Sequence, residues 1–476
     1  MAAFDEFKTM TQKQASAAEV GIDARLGRLT LAVTGLAAMV TYLDTTILFV
    51  AFPDITYSFG NSPASTLSWV LNAYTIIFAA LLVPAGKLGD RLGHRRAFLV
   101  GSAIFTIASI GCGLAPNVEW LIVARILQGS GAAILVPASL ALVMAAFPRE
   151  RLPQVVAIWG AIGALSAALG PSLGSLVVDT LGWRWAFFLN LPIGLVTLVA
   201  GGRILRESRD LSVKIPSMMG VALIALAAGV MSYALVESDT VGWASTQTII
   251  VFATGLVLLG AFIAHQRWTD APTLDLELFA LGNFRWGNLA MFSFSLAFSA
   301  MFFGLILFLV NVWEWSIIKA GFAVAPGPAL AAILAPRCGK LAGQIGQRPL
   351  VVLGGAVFAI SGLYRVAFLT ASVDYLTAIA VPLALDAVAI ALIFPQVTSV
   401  SAQALPINRT GVGGATTQAV RQFGGSFGVA LTIALLGTAT ETASLLSGFE
   451  RIWWLLVAGG IVTTLFALRL RTRTAV

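Results

Sequence analysis

The 476-residue chain is 58% hydrophobic and 11% charged, with a mean hydropathy of +0.91. Soluble domains carry about a quarter charged residues, so this balance excludes an ordinary soluble enzyme and places the chain among membrane proteins. The net charge of +7 forms no nucleic-acid face, because the basic residues sit in short clusters between apolar runs, the pattern of loops that meet anionic lipid.

Residues 1–25 are polar, with Lys8 and Lys13, and read as a cytoplasmic tail with no cleavable signal. A membrane-crossing helix needs roughly 20 predominantly apolar residues. Six such runs follow, near 29–52, 66–86, 97–116, 119–146, 153–178 and 184–204. Two more lie near 217–236 and 248–265. The last six fall near 285–313, 317–336, 349–370, 375–401, 411–437 and 450–469. The expectation is an all-α polytopic membrane protein with fourteen spans. Its units are a six-helix bundle over 26–206, a linker with two extra spans over 207–283, a second six-helix bundle over 284–470, and a tail over 471–476.

Placing the N-terminus inside puts all but six of the 29 Lys and Arg on the cytoplasmic side. Arg184, Lys319 and Arg451 fall outside, and Arg125, Arg365 and Arg421 lie within spans. That asymmetry predicts both termini cytoplasmic and a location in the cell (inner) membrane. Cys112 and Cys338 then lie near opposite faces and do not pair, while His94 and His265 fall in loops and offer no metal site. No metal or other cofactor is expected.

Gly86-Lys87-Leu88, Gly93 and Arg95 recur as Gly339-Lys340-Leu341, Gly346 and Arg348, offset by 253 residues. Each set follows the second span of a six-span block. Duplicated halves of this kind characterise a class of secondary transporter.

With these features in place, the chain resembles the major facilitator superfamily, and within it the fourteen-helix drug:proton antiporters. The resemblance rests on Leu43-Asp44-Thr45-Thr46-Ile47 with Ala51-Phe52-Pro53, and on Gly86 through Arg96, similar to the superfamily's hallmark loop. It rests also on Arg125, Gln128, Gly129 and Gly131 in the fourth span, on Gly170-Pro171 with Gly174 in the fifth, and on Trp183-Arg184-Trp185, Asn190 and Pro192-Ile193-Gly194. Departures are Ser175 in place of the fifth-span motif's last glycine, Gly343 opposite Asp90, and Ser217 where an aspartate is common. The resemblance implies the major facilitator fold and export of drugs or other amphipathic or cationic small molecules in exchange for protons. The proton gradient is then the energy source, the lipid bilayer the surroundings, and the working unit a monomer. A dedicated exporter of one endogenous metabolite fits the same motifs.

An ionisable group inside a span costs about 2.5–3.5 kcal/mol on insertion scales, so each needs a reason. Asp44 lies about 8 residues, roughly 12 Å, below Pro53, and Arg125 reaches a similar depth. Their pairing is expected, either for proton coupling or as a permanent ion pair. Asp386 and Arg421 each lie about 10–11 residues, roughly 16 Å, inside successive spans, which predicts a second pair acting as relay, gate or packing clamp. In the hallmark loop, Gly86, Gly89 and Gly93 are expected to allow a tight turn and close helix approach. Asp90 with Arg91 and Arg95 would lock a cytoplasmic gate, and lipid anchoring is the competing role of the arginines. Gly170 and Pro171 interrupt the ladder of the fifth span and permit close backbone contact; the resemblance implies a bend that resists proton leak, and an ordinary kink is the alternative. Trp69, Asn72, Gln128, Phe292, Phe298 and Phe302 are the candidate walls of a substrate cavity.

A membrane-embedded enzyme is disfavoured, since no zinc-type His/Glu pair or Gly-x-Ser-x-Gly elbow accompanies the spans. ATP-driven pumping is disfavoured too, because no Gly-x-x-x-x-Gly-Lys-Ser/Thr loop occurs.

Overall fold

The computed structural model describes residues 2–60, 62–148, 151–209, 214–406, 409–437 and 442–471, with side chains from Arg25 onward except at 153, 157, 164, 167, 239 and 442. Among them, fourteen helices are long and apolar enough to cross a membrane. They are α1 (Arg25–Ser58), α2 (Ala64–Leu92), α3 (His94–Gly113), α4 (Val118–Ala146), α5 (Gln154–Leu181), α6 (Arg184–Ile204), α7 (Met218–Ser238), α8 (Thr246–Trp268), α9 (Gly282–Asn311), α10 (Ile317–Ile345), α11 (Gln347–Phe368), α12 (Tyr375–Gln403), α13 (Thr410–Leu436) and α14 (Ala443–Leu468). All fourteen expected runs are helical, as they must be where no water can satisfy a bare backbone. Helical backbone continues α1 back to Ala2, so the polar tail joins the first span without a break, and residues 472–476 of the C-terminal tail lie outside the described residues.

Polar side chains start several spans. Asn117 accepts the Trp120 N–H at the start of α4, and Ser217, Ser245, Ser316 and Asp374 do the same for α7, α8, α10 and α12. Each satisfies a backbone donor that the helix itself leaves open.

The hallmark segment differs from the expected loop. Gly86 and Gly89 lie inside α2, which runs on to Leu92, and the turn is made by Gly93 alone, at φ 113°. A Cβ built on Gly89 would meet Ala97 of α3 at 3.5 Å, an ordinary contact, so packing does not require glycine there. Only Gly93 needs a backbone conformation that a Cβ resists. The second half repeats this: α10 carries Gly339 and Gly343 in helix and breaks at Gly346, φ 84°. The two histidines are likewise helical rather than in loops. His94 opens α3, and His265 sits in the last turn of α8, 2.7 Å from the Ser217 hydroxyl.

The helix pairings are duplicated. In the first half α1 packs against α4, α5 and α6, α4 against α2 and α3, and α3 against α6. In the second, α9 packs against α12, α13 and α14, α12 against α10 and α11, and α11 against α14. Adding eight to each label of the first set gives the second. The halves meet along α2–α13, α5–α10 and α1–α9. The inserted α7 lies against α2 and α13, on one of these seams, while α8 packs on α7 and leaves nearly all of its surface outward.

The end where α2 gives way to α3, rich in Lys87, Arg91, Arg95 and Arg96, is called the basic end below, and the opposite one the far end. Toward the far end the halves are sealed by aromatic contacts between α1 and α9. Phe49 lies 5.9 Å from Phe302 and 5.6 Å from Phe303, and Phe52 meets Phe303 edge-on at 5.1 Å.

Candidate functional site

Asp44 and Arg125 meet, as the sequence predicts. The Arg125 Nη1 donates to Asp44 Oδ2 at 2.6 Å, with both side chains almost wholly buried. Two further donors converge on the other carboxylate oxygen: Gln128 Nε2 at 2.9 Å and Asn190 Nδ2 at 2.8 Å. The Ser109 hydroxyl accepts from Gln128 at 2.9 Å and from Asn190 at 3.3 Å. Arg125 also donates to the Val70 carbonyl and the Gln128 Oε1, and its guanidinium stacks 4.0 Å from the Tyr74 ring. Three helices (α1, α4 and α6) thus supply one carboxylate and its donors, and α2 and α3 hold those donors in place. Such charge-assisted bonds can repay the removal of an ion pair from water.

Gln128, read as a cavity wall, is instead fully buried in this network. Asn190 and Ser109 join this network although no charge marks them in the sequence. Asn190 stood in the sixth-span motif, but nothing in its spacing told that its amide points at Asp44.

The expected Asp386–Arg421 pair does not form. Asp386 is held by Arg365 of α11, with Nη2 to Oδ2 at 2.5 Å. The Ser361 hydroxyl accepts from Arg365 Nη1 at 2.6 Å and donates to Asp386 Oδ1 at 2.6 Å. The depth count was of backbone positions, and side chains lean toward the start of their own helix. Arg365 near the far end of α11 therefore leans inward, while Asp386 on the antiparallel α12 leans outward to meet it. Arg421 on α13 is half-buried, and its guanidinium carbon lies 4.9 Å from the Phe394 ring.

The hallmark segment is tied to the end of its own half. Glu207 accepts the Arg95 backbone N–H at 2.9 Å and the Arg96 N–H at 3.3 Å, capping α3 with an anion where the helix dipole favours one. Arg95 Nη2 donates to the Gly202 carbonyl at 2.7 Å, and Asp90 lies 3.3 Å from His94. Lys87 reaches the Pro272 carbonyl between α8 and α9 at 2.7 Å. Glu207 and Pro272 stand far along the chain, and no local pattern marks them.

The fifth-span motif works by close approach. A Cβ on Gly170 would collide with Thr46 of α1, and one on Gly174 would crowd Ile47 at 3.0 Å. Pro171 and Ser175 lie so close to Gly321 of α10 that a side chain there would collide with both. The proposed cavity aromatics divide. Phe302 is buried in the far-end seal, Phe298 lies 5.6 Å from Phe394, and Phe292 lies 6.0 Å from Phe427. Asn72 accepts the Ser426 hydroxyl at 3.3 Å across the α2–α13 seam, and Trp69 is half-buried. A separate cavity of about 440 Å³ lies between α2, α7, α8 and α13, with Phe262, Phe279 and Phe423 in its walls.

A family model described as Major Facilitator Superfamily matches residues 34–429. The multidrug resistance protein Stp of Mycobacterium tuberculosis is 35% identical over 427 residues, 89% of this chain and 78% of that protein. The tetracenomycin C resistance and export protein of Streptomyces glaucescens is 30% identical over 86% of this chain and 76% of its own length. The multidrug export protein EmrB of Haemophilus influenzae is 30% identical over 85% and 79%. Among solved structures, a D-xylose-proton symporter superposes with a TM-score of 0.68 at 14% identity, covering 94% of this chain and 98% of its own.

Proposed function

We propose that this chain, which belongs to the Major Facilitator Superfamily, exports amphipathic small molecules across the cytoplasmic membrane in exchange for protons, by alternating access. Membership makes it a multi-pass membrane transporter rather than an enzyme. The export direction is supported by relatives whose names describe resistance and export. The basic end is assigned to the cytoplasm by the positive-inside rule, with Arg469 and Arg471 anchoring α14 there.

The observation that carries the proton half of the proposal is the buried carboxylate of Asp44, held by Arg125, Gln128 and Asn190. Protonation removes the charge that holds Arg125, loosening contacts among α1, α4 and α6 together. Deprotonation restores them. A single proton thus biases how the first half packs, the bistable element that alternating access requires. The α2–α3 connection, tied to Gly202 and Glu207, is proposed to move with the first half and open or close the cytoplasmic gate. Arg365 and Asp386 are proposed as a clamp between α11 and α12.

The test is proton release in everted vesicles carrying a pH-sensitive dye. Addition of an exported compound should discharge the preset gradient, and silence across a broad amphiphile panel removes the antiport reading. The names of the relatives, which cover both multidrug and single-antibiotic export, keep a dedicated exporter as the second reading. Discharge by one compound out of the panel would favour it.

A further inference from the structure

The mid-span charges do not cancel. Asp44 is taken by Arg125 and Asp386 by Arg365, two ion pairs closed within their own halves. Arg421 remains, and among the described residues no acidic side chain meets it. A cation held that deep without a carboxylate is costly, and such groups mark substrate or ion paths.

Its surroundings show which way it faces. Gly411, Gly414, Gln418 and Arg421 follow one another at helical spacing along one stripe of α13. A Cβ built on Gly411 or Gly414 would meet nothing within 4 Å, so the stripe borders open space at its basic end. The opposite stripe, Thr416, Ala419, Val420 and Phe423, lines the cavity beside α7 and α8. Arg421 therefore turns away from the inserted helices and toward the middle of the molecule. There Phe394 of α12 lies under its guanidinium, and Tyr42 of α1 is within its field. The stripe thus ends between the two halves.

The polar group next to Arg421 is short of an acceptor. The Gln418 amide nitrogen, one turn away on the same stripe, is buried with no hydrogen-bond partner. An unsatisfied buried donor beside an unpaired guanidinium calls for an acceptor-rich, negatively charged group. Phe394 and Tyr42 supply the flat apolar wall that an aromatic or otherwise greasy body would need.

We infer that Arg421 and Gln418 form the polar end of the substrate site and that the preferred cargo is an amphiphile bearing a carboxylate or similar anionic group. This rests on the efflux reading but changes its charge class. The sequence alone directs attention to a cationic cargo meeting Asp44, whereas that carboxylate already has three donors.

The test uses two dyes with one ring system, anionic fluorescein and cationic rhodamine 6G. Binding is measured on purified protein in detergent, and transport in everted vesicles. Wild type should bind fluorescein the more tightly, and Arg421→Gln should weaken fluorescein binding by about ten- to a hundredfold, the range of a hydrogen bond to a charged group. If the glutamine variant is not recovered folded, Arg421→Lys and wild type decide together. A preference for fluorescein in both supports the site, and its absence in wild type overturns it. Equal loss of both dyes in a folded Arg421→Gln protein also overturns it, since a structural role would do the same. Transport that favours rhodamine 6G sinks the anion site and leaves efflux standing. Arg421-dependent fluorescein binding without movement of either dye leaves the site and sinks efflux.

Discussion

Arg365 and Asp386 are joined by two routes, a direct contact of 2.5 Å between Nη2 and Oδ2 and a bridge through the Ser361 hydroxyl. Removing one partner strands a buried charge, which costs about 3–5 kcal/mol in comparable pairs. Arg365→Gln and Asp386→Asn should each lower the thermal unfolding midpoint sharply, and the double variant should recover most of the loss. Additive losses would show that the two charges act independently. Recovery of stability without recovery of export would move the pair from clamp to proton relay.

Asp44→Asn should abolish proton-coupled export. The amide that replaces the carboxylate can no longer balance Arg125, and its own N–H groups face the donors of Gln128 and Asn190. Stability therefore falls as well, so export is compared per folded molecule. The double variant Asp44→Asn with Arg125→Gln should regain much of the stability and none of the coupling. Dye efflux by Asp44→Asn at the wild-type rate, still abolished by a protonophore, would place the proton site elsewhere.

The spans were legible because a bilayer demands long apolar runs, and few soluble sequences imitate them. The Asp44–Arg125 pair was legible because the two charges reach a similar depth in their spans. The same count failed for Asp386, because depth was counted along the backbone without regard to side-chain lean, and Arg365 leans inward to the level of Asp386. Glu207 was missed for a different reason. Its partners are backbone N–H groups of residues 95 and 96, and backbone donors leave no mark on a sequence. The glycines of the hallmark segment misled because residue type does not distinguish a glycine that sits in regular helix with room for a Cβ, such as Gly89, from one needed for its dihedral, such as Gly93.

Orientation is tested by thiol labelling in intact cells. Cys112 is buried and Cys338 half-buried, so Cys338→Ser gives a quiet background. Single cysteines at the exposed positions Arg91 and Arg348 should resist an impermeant reagent, and one at exposed Thr240 should react. Labelling at position 91 from outside would invert the topology and, with it, the assignment of the basic end to the cytoplasm.

Gly321 is predicted to be essential for closing the far end. It sits where Pro171 and Ser175 of α5 press on α10, with no room for a Cβ. Ser175 replaces a glycine expected from the family's fifth-span motif, so the small residue needed at this crossing is supplied by α10 instead. Gly321→Leu should hold α5 and α10 apart and weaken the neighbouring seal between Phe49 and Phe302. Overpacking a tight crossing costs about 1–3 kcal/mol, enough to shift a two-state equilibrium by roughly ten- to a hundredfold toward the far-side-open arrangement. The readout is a cysteine placed at half-buried Ser299 on α9, in a chain lacking Cys112 and Cys338. Applied from the far side, an impermeant thiol reagent should label it slowly with Gly321 present and many times faster in Gly321→Leu. The double variant Gly321→Leu with Ser175→Gly should recover part of the protection, because space is restored on the other face of the same contact. Equal labelling in all three proteins would mean that the α5–α10 crossing does not control access, leaving the aromatic contacts between α1 and α9 as the seal.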